Sequence, residues 1–446
     1  MIWKFCTYDG IFNNMYKFLK GRLIGVRILL LATALALIVF GIATIYAIGN
    51  PAQASQTAQE SEFAGLWEKQ AVFAVLAVFA FIAVNMVNYR RLGTVSYWLY
   101  AFVLVLLAIL LLDKFVDISI ANVLTIPLRN GTRRWIVFTI AGWSISMQPS
   151  ELCKLAYILA LAWYLRYRSN YRNFTALIGP FLLTLLPMFL ILLEPDLGTV
   201  LLMMPILFIM LFIAGAKVKH LLIVILLAVL VSPLLWYKMN DYQRIRISSV
   251  LLQNEWVQQK AIDHPALANV LVGKEFTRRE WENNWGYHLI RAKYAVASGG
   301  MKGYGFRKGP FIKYNFFLPY RHNDFIFAAI AHQWGFLGSV VLLLLYVVII
   351  YCGLEIAANN TDPFGRLLAT GIVIMFAVEI IVNICMTLGM TPITGLTLPL
   401  VSYGGSSLLV SMISIGLLHN VGRQRPFSVA KKSFEEQKQT KLEYKA

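Results

Sequence analysis

The chain has 446 residues, of which 59% are hydrophobic and only 14% charged, with a formal net charge of +18. So much apolar surface, recurring in long uncharged runs, excludes a single soluble core and implies a multispanning membrane protein. The basic excess needs no nucleic-acid partner, because Lys and Arg gather at the cytoplasmic ends of spans.

Taken in order, residues 1–26 form a cytoplasmic N-terminal segment, and the first apolar run, near 27–48, is of span length with no cleavage site behind it. Further spans are expected near 69–87, 95–112, 148–165, 174–193, 197–214, 219–236, 325–351, 366–388 and 399–419. Each is long enough to cross roughly 30 Å of hydrocarbon. The expected fold is therefore an all-α polytopic membrane protein of about ten transmembrane helices.

Charge in the short loops sets the orientation. Lys17, Lys20, Arg22, Arg90, Arg91, Arg166, Arg168, Lys217, Lys219 and Arg366 all fall on one side, whereas the loops 49–67, 194–196 and 389–398 contain no Lys or Arg. That asymmetry puts both termini in the cytoplasm. Two outer segments are longer. Residues 113–147 carry Lys114, Arg129, Arg133 and Arg134. Residues 237–323, between helices 7 and 8, form one large extracytoplasmic loop with 14 basic and 6 acidic side chains. Long loops escape the charge rule, and a loop of this length is expected to be functional. Trp256, Trp281 and Trp285 suggest interfacial packing there. Residues 27–420 make one membrane domain, and 421–446 a solvated, disordered tail.

Few polar groups interrupt the apolar runs. Asp324 stands where the polar loop meets the eighth span. It can cap that helix. It also shares a helical face with Ala328, Ala331 and Gly335, small residues that leave room for a bulky ligand or for close helix packing. Glu151 and Lys154, at i and i+3 in the fourth span, can neutralise each other in lipid or line a polar cavity. Arg133 and Arg134, beside Trp135, can anchor the outer leaflet or clamp a diphosphate. The run Glu194-Pro195-Asp196 reads as a tight outer turn with an acid at a helix start. Gly404, Gly405, Ser406 and Ser407, just inside the last span, favour a broken or closely packed helix. His322 and Asp324 could share a cation, but no HxxxH or HExxH spacing or CxxC pair marks a metal site, and the four cysteines are scattered.

Several of these stretches together resemble the SEDS family (shape, elongation, division and sporulation), whose best-known members are RodA and FtsW. The resemblance rests on GTRRW at 131–135, QPSELCKL at 148–155, EPDLGT at 194–199, YQRIR at 242–246, SGGMKGYG at 298–305, LPYRHNDFIFA at 318–328 and TGLTLPLVSYGGSS at 394–407, and leans slightly to the RodA branch. It implies a peptidoglycan glycosyltransferase of the bacterial inner membrane. Such an enzyme polymerises undecaprenyl-linked lipid II into a nascent glycan strand for cell-wall elongation, beside a class B penicillin-binding protein and other elongation-complex membrane proteins. By position, Asp324 matches the essential aspartate of that family, and Arg133, Arg134, Glu151, Lys154 and His322 fall on its substrate-binding side. Tyr320, His332 and Gln333 stand where the family has acids, and residues 250–284 look like an insertion. Those replacements leave a divalent cation only an optional part. Two other readings of the same residues are a flippase for lipid-linked precursors and an inactive scaffold that recruits a crosslinking partner.

Overall fold

The computed structural model describes residues 6–52, 63, 65–113, 124–128, 132–140, 143–166, 174–239, 241–313, 318 and 320–423. Gly131, Pro319 and the tail from 424 lie outside the described residues.

Helices stand at all ten positions that hydropathy marks. They are α1 (Cys6–Gly49), α2 (Leu66–Met86), α3 (Tyr89–Leu112), α4 (Pro149–Leu165), α5 (Ile178–Leu193), α6 (Leu197–Ile213), α7 (Val218–Lys238), α14 (Ile326–Ala358), α15 (Pro363–Thr387) and α16 (Gly405–Arg423). Seven of these regions are long and apolar enough to cross a membrane; α4, α6 and the apolar part of α7 are shorter. The protein is a multi-pass, helical membrane protein.

Burial separates the helices into an inner and an outer set. α4 is buried almost all round, which is where a helix carrying Glu151 and Lys154 must lie if lipid is not to meet the charges. α15 is buried over 72% of its most apolar stretch. At the opposite extreme, Leu221 is the one buried side chain among the described residues of α7, so this helix turns nearly its whole surface outward.

The long loop between α7 and α14 is folded. It holds α8 (Asp241–Leu251), α9 (Glu255–Asp263), α10 (Pro265–Val272), α11 (Arg278–Glu280, running into a π turn over Trp281–Trp285), α12 (Tyr287–Ser298) and α13 (Pro310–Lys313). The stretch 250–284 has a core of its own: Leu252, Ala261, Ala268, Val272, Phe276 and Trp281 pack together. Trp281 is therefore a core residue, while Trp256 is 68% exposed. Trp236 Nε1 donates to the Val270 carbonyl at 2.8 Å, which fixes this unit to the end of α7.

An element that hydropathy did not mark is a small antiparallel sheet in the segment before α4. β1 (Leu124–Thr125) pairs with β2 (Ile136–Ile140), and β2 with β3 (Trp143–Met147) in the register Ile136↔Met147, Phe138↔Ile145. The β-branched residues of IVFTI and the two-residue gap Ala141-Gly142 suit a hairpin. The strands are too short and too polar to register as a span.

α14 is the most informative helix. Its 33 residues would reach about 50 Å if straight, well beyond roughly 30 Å of hydrocarbon. It is broken at Gly335, with φ 65° and ψ −159°. A break orphans carbonyls before it and N–H groups after it, and the SGGMKGYG loop takes up both sets. Tyr304 N and Gly305 N donate to His332 O and Gln333 O at 3.1 and 2.8 Å, while Phe336 N and Leu337 N donate to Gly300 O and Met301 O at 2.8 and 3.2 Å. The two backbones approach so closely that a Cβ on Gly303 would lie 2.2 Å from Gln333 O, and one on Gly335 would lie 2.4 Å from Gly303 N. Both glycines also have positive φ. The eighth span is thus the part of α14 beyond Gly335, and Ile326–Trp334 forms a separate cap above it.

Gly303→Ala and Gly335→Ala are each expected to cost about 2 kcal/mol or more, from the left-handed backbone and the steric overlap together. Gly25→Ala, where nothing lies within 4 Å of the added Cβ, should leave the Tm unchanged or slightly raised. Thermal unfolding of the three purified variants in detergent measures the difference.

Candidate active site

Asp324 does not lie on α14. The helix starts at Ile326, its N-cap is Phe325, and no side chain caps it. The expected alignment of Asp324 above Ala328, Ala331 and Gly335 on one helical face is therefore corrected: the carboxylate sits on a turn before the helix, and the helix is interrupted at Gly335. The turn closes on Tyr320, whose carbonyl accepts from Asn323 N at 3.0 Å and Phe325 N at 3.4 Å.

Three consecutive carbonyls of this turn are held from outside it. His322 O accepts from Tyr403 N at 2.9 Å, Asn323 O from Ser402 Oγ at 2.8 Å, and Asp324 O from Asn383 Nδ2 at 2.9 Å. Asn383 also donates to Leu396 O at 2.6 Å, and Ser402 Oγ accepts from Leu398 N at 2.8 Å. Residues 394–404 therefore form a clamp on the Asp324 turn. The clamp is itself braced: Gln70 donates to Ser402 O and accepts from Gly404 N, both at 3.2 Å. Ser406 Oγ accepts from Gln148 N at 3.1 Å and donates to Ser146 O at 3.3 Å, and Ser407 Oγ pairs with Thr397 Oγ1 at 2.7 Å. Gly404 stands in the turn, and α16 begins at Gly405 rather than near 399. The serines here bond to neighbouring loops, Leu400 takes φ 66°, and a Cβ on Gly405 would come 3.0 Å from the Phe73 ring, so the motif combines a break before α16 with close packing against α2.

Asp324 is half-buried, and its carboxylate accepts no hydrogen bond among the described residues. It lies against the 394–397 backbone, where a Cβ on Gly395 would come 3.7 Å from Oδ2. Burial lifts its pKa to about 6; Arg246 opposes that rise, Asp196 adds to it and Arg134 opposes it. His322 packs between Phe63 and Tyr403, with ring centroids 5.0 and 5.8 Å away. Burial and then Arg321 depress its pKa to about 4, so it is neutral at pH 7.

The other polar positions assemble into two supports. In the first, Arg134 Nε donates to Glu194 O at 2.8 Å and its Nη2 to Pro195 O. Asp196 caps α6, accepting from Thr199 Oγ1 and from Ser150 Oγ, each at 3.0 Å. Arg133 binds the carbonyl and carboxylate of Asp113. In the second, Lys154 Nζ lies 2.8 Å from Glu151 and 2.5 Å from Glu379, all three buried. Glu379 sits one turn before Asn383 on α15, so one helix carries both the Lys154 partner and the Asp324 clamp.

Sequence reasoning passed over Glu379, Asn383 and Gln70, and met Arg246 only as the last residue of YQRIR. The signal for Glu379 was present, since an acid in the middle of an apolar span marks a functional or paired position. Among the described residues no three His, Cys, Asp or Glu side chains gather as a metal site.

A family model described as cell cycle protein, covering FtsW, RodA and SpoVE, matches residues 27–426. The peptidoglycan glycosyltransferase RodA of Treponema pallidum is 31% identical over 445 residues, covering 89% of this chain and 97% of that protein. Stage V sporulation protein E of Bacillus subtilis is 32% identical, covering 89% and 96%. A chain in a solved peptidoglycan synthase complex, described as coordinating polymerization and crosslinking, superposes with TM-score 0.66 at 29% identity, covering 88% of this chain and 96% of that one. The rod shape determining protein RodA of Thermus thermophilus gives TM-score 0.56 at 28% identity, covering 89% and 96%. On sequence and on architecture, this chain belongs to the SEDS family of FtsW, RodA and SpoVE.

Proposed function

We propose that Asp324 is the general base with which this chain, a membrane glycosyltransferase, polymerises lipid II into glycan strands for cell-wall elongation. The observation that carries the reading is a carboxylate with no hydrogen-bond partner among the described residues, on a turn pinned at three successive carbonyls. The 4-hydroxyl of the acceptor's terminal N-acetylglucosamine attacks the donor's anomeric carbon. Asp324 takes the hydroxyl proton, the bond to the lipid diphosphate breaks, and the configuration inverts. A base with pKa about 6 is ionised at neutral pH, yet basic enough to help as the new bond forms. Rigid placement and charge stabilisation of the departing diphosphate supply the rest of the barrier reduction. Arg246 and Arg134, whose fields reach Asp324, are the cations for that role. Lys154, sealed between two carboxylates, acts at a distance as a support.

The active face is the outer one, with both termini in the cytoplasm of a bacterial inner-membrane protein. Lipid-linked substrate enters along α7, the helix with least contact to the bundle. Crosslinking of the product falls to a class B penicillin-binding protein. The apolar groove of about 400 Å³ between Phe327, Ala331, Phe336, Ile384 and Leu388 is a surface for that partner's membrane helix.

Asp324→Ala and Asp324→Asn should abolish polymer from purified lipid II in detergent without lowering the Tm. Retained polymerisation by either would remove the assignment, and a protein that moves lipid II across vesicles without making polymer would be a transporter instead. The wild-type rate should follow the ionised carboxylate, flat above pH 7 and falling about tenfold per unit below pH 6. Of the buried triad, Lys154→Met leaves two carboxylates without a cation and should cost about 3–5 kcal/mol. Glu379→Gln leaves the neutral Lys154–Glu151 pair and should cost clearly less, as urea or thermal unfolding would read.

A further inference from the structure

Tyr320 combines three features that a surface loop residue has no need of together. Its backbone is left-handed, with φ 53°, which is costly for a bulky side chain. The residue is 42% exposed. And its carbonyl closes the turn that carries Asp324, accepting from Asn323 N and Phe325 N. Strain of this kind persists only where surrounding structure enforces it.

The ring is backed by others. Its centroid lies 5.6 Å from that of His288 on α12, and the His288 ring in turn stacks on Phe325 at 6.3 Å with an interplanar angle of 20°. Tyr287 meets His288 edge-on at 5.9 Å. Phe325, buried to 2% exposure, is the residue after Asp324. A row of rings, Tyr320–His288–Phe325, is thus fixed beside the carboxylate, with its outermost member open. Burial and the nearby Arg246 lower the His288 pKa, so the ring is neutral at pH 7 and packs as an aromatic.

We infer that Tyr320, backed by His288, is a sugar-binding platform that stacks on the pyranose ring of the acceptor and presents its hydroxyl to Asp324. This rests on the reading of Asp324 as the base and adds the group that orients what the base attacks. A pyranose has one face lined by C–H bonds and a rim of hydroxyls, so a flat apolar ring can hold the face while a polar group reads the rim. Tyr320 and Asp324 belong to one turn, closed by the bonds from Asn323 N and Phe325 N to Tyr320 O.

The experiment separates the ring from the backbone. Asparagine tolerates a left-handed conformation, so Tyr320→Asn keeps the turn and removes the ring, while Tyr320→Phe keeps the ring and removes the hydroxyl. Initial rates on lipid II, measured with purified protein in detergent, should show KM raised about tenfold in Tyr320→Asn with kcat within about threefold of wild type. Tyr320→Phe should match wild type, and His288→Leu should raise KM in the same direction by a smaller factor. Unchanged KM in Tyr320→Asn at unchanged Tm would overturn the platform while leaving Asp324 as the base. A loss of kcat alone would assign Tyr320 to holding the turn and would also overturn it. Absence of polymer from the wild-type protein would instead remove the glycosyltransferase reading on which the platform stands.

Discussion

The bonds from Tyr403, Ser402 and Asn383 to the carbonyls of residues 322, 323 and 324 are the constraint on which the rest of the molecule converges. A short turn carrying a charged side chain has little reason to hold one conformation at a membrane surface. Here each of its peptide units is fixed by a donor from an element distant in sequence. Backbone carbonyls accept these bonds, so the Asp324 carboxylate is left available. Its raised pKa follows from the same arrangement: burial withdraws water from the carboxylate, and no local donor replaces it.

The clamp can do this only if its own elements are rigid, and the supports on either side supply that rigidity by different physics. On α15, Glu379 and Asn383 are successive-turn neighbours, one joined to Lys154 and the other to the Asp324 turn. An ion pair with little access to water is expensive to separate, so α4 and α15 are locked in register at the level of the site. On α14, the break at Gly335 uses backbone bonds instead. The SGGMKGYG loop replaces the missing turn of helix, so the cap Ile326–Trp334 is held to α12 and not simply hung from a span. A continuous α14 would carry the head of the helix rigidly with the bilayer-spanning part. The spliced one ties it to the outer loop.

Spans and loops were legible in the sequence because lipid imposes a one-dimensional rule: an uncharged run of about 20 residues has few other fates. Asp324, Arg134 and Lys154 were legible as rare polar groups, and the resemblance singled out the first. Pairings were not. Lys154 and Glu379 are 225 residues apart, and nothing in either neighbourhood names the other; the local reading stopped at Glu151, which shares the ion pair but is only half of it. The serines of SYGGSS read as part of a broken or closely packed helix, but composition could not name what they bond to. Their actual partners are loop carbonyls and amides that only the fold brings close. Gly335 read as a small residue on a helical face, whereas its positive φ is set by a loop over 30 residues earlier.

The departures from the family pattern fall where this geometry gives them a common sense. Tyr320, His332 and Gln333 stand where the resemblance leads one to expect acids. Gln333 Oε1 accepts from Arg307 N at 3.1 Å, and His332 Nδ1 pairs with Ser298 Oγ at 2.7 Å, so both fasten the loop that splices α14. His332 is also packed against Tyr304 and Phe311. Neutral side chains of this kind can be buried against loop backbone, where carboxylates would have to be paired or desolvated at considerable cost. The effect is to leave Asp324 and Asp196 as the acids that bear on the site. Under the proposed function, Asp324 works as the base with Asp196 as the neighbouring acid whose charge reaches it. On the same proposal, orienting the sugar falls to neutral groups such as the Tyr320 ring backed by His288.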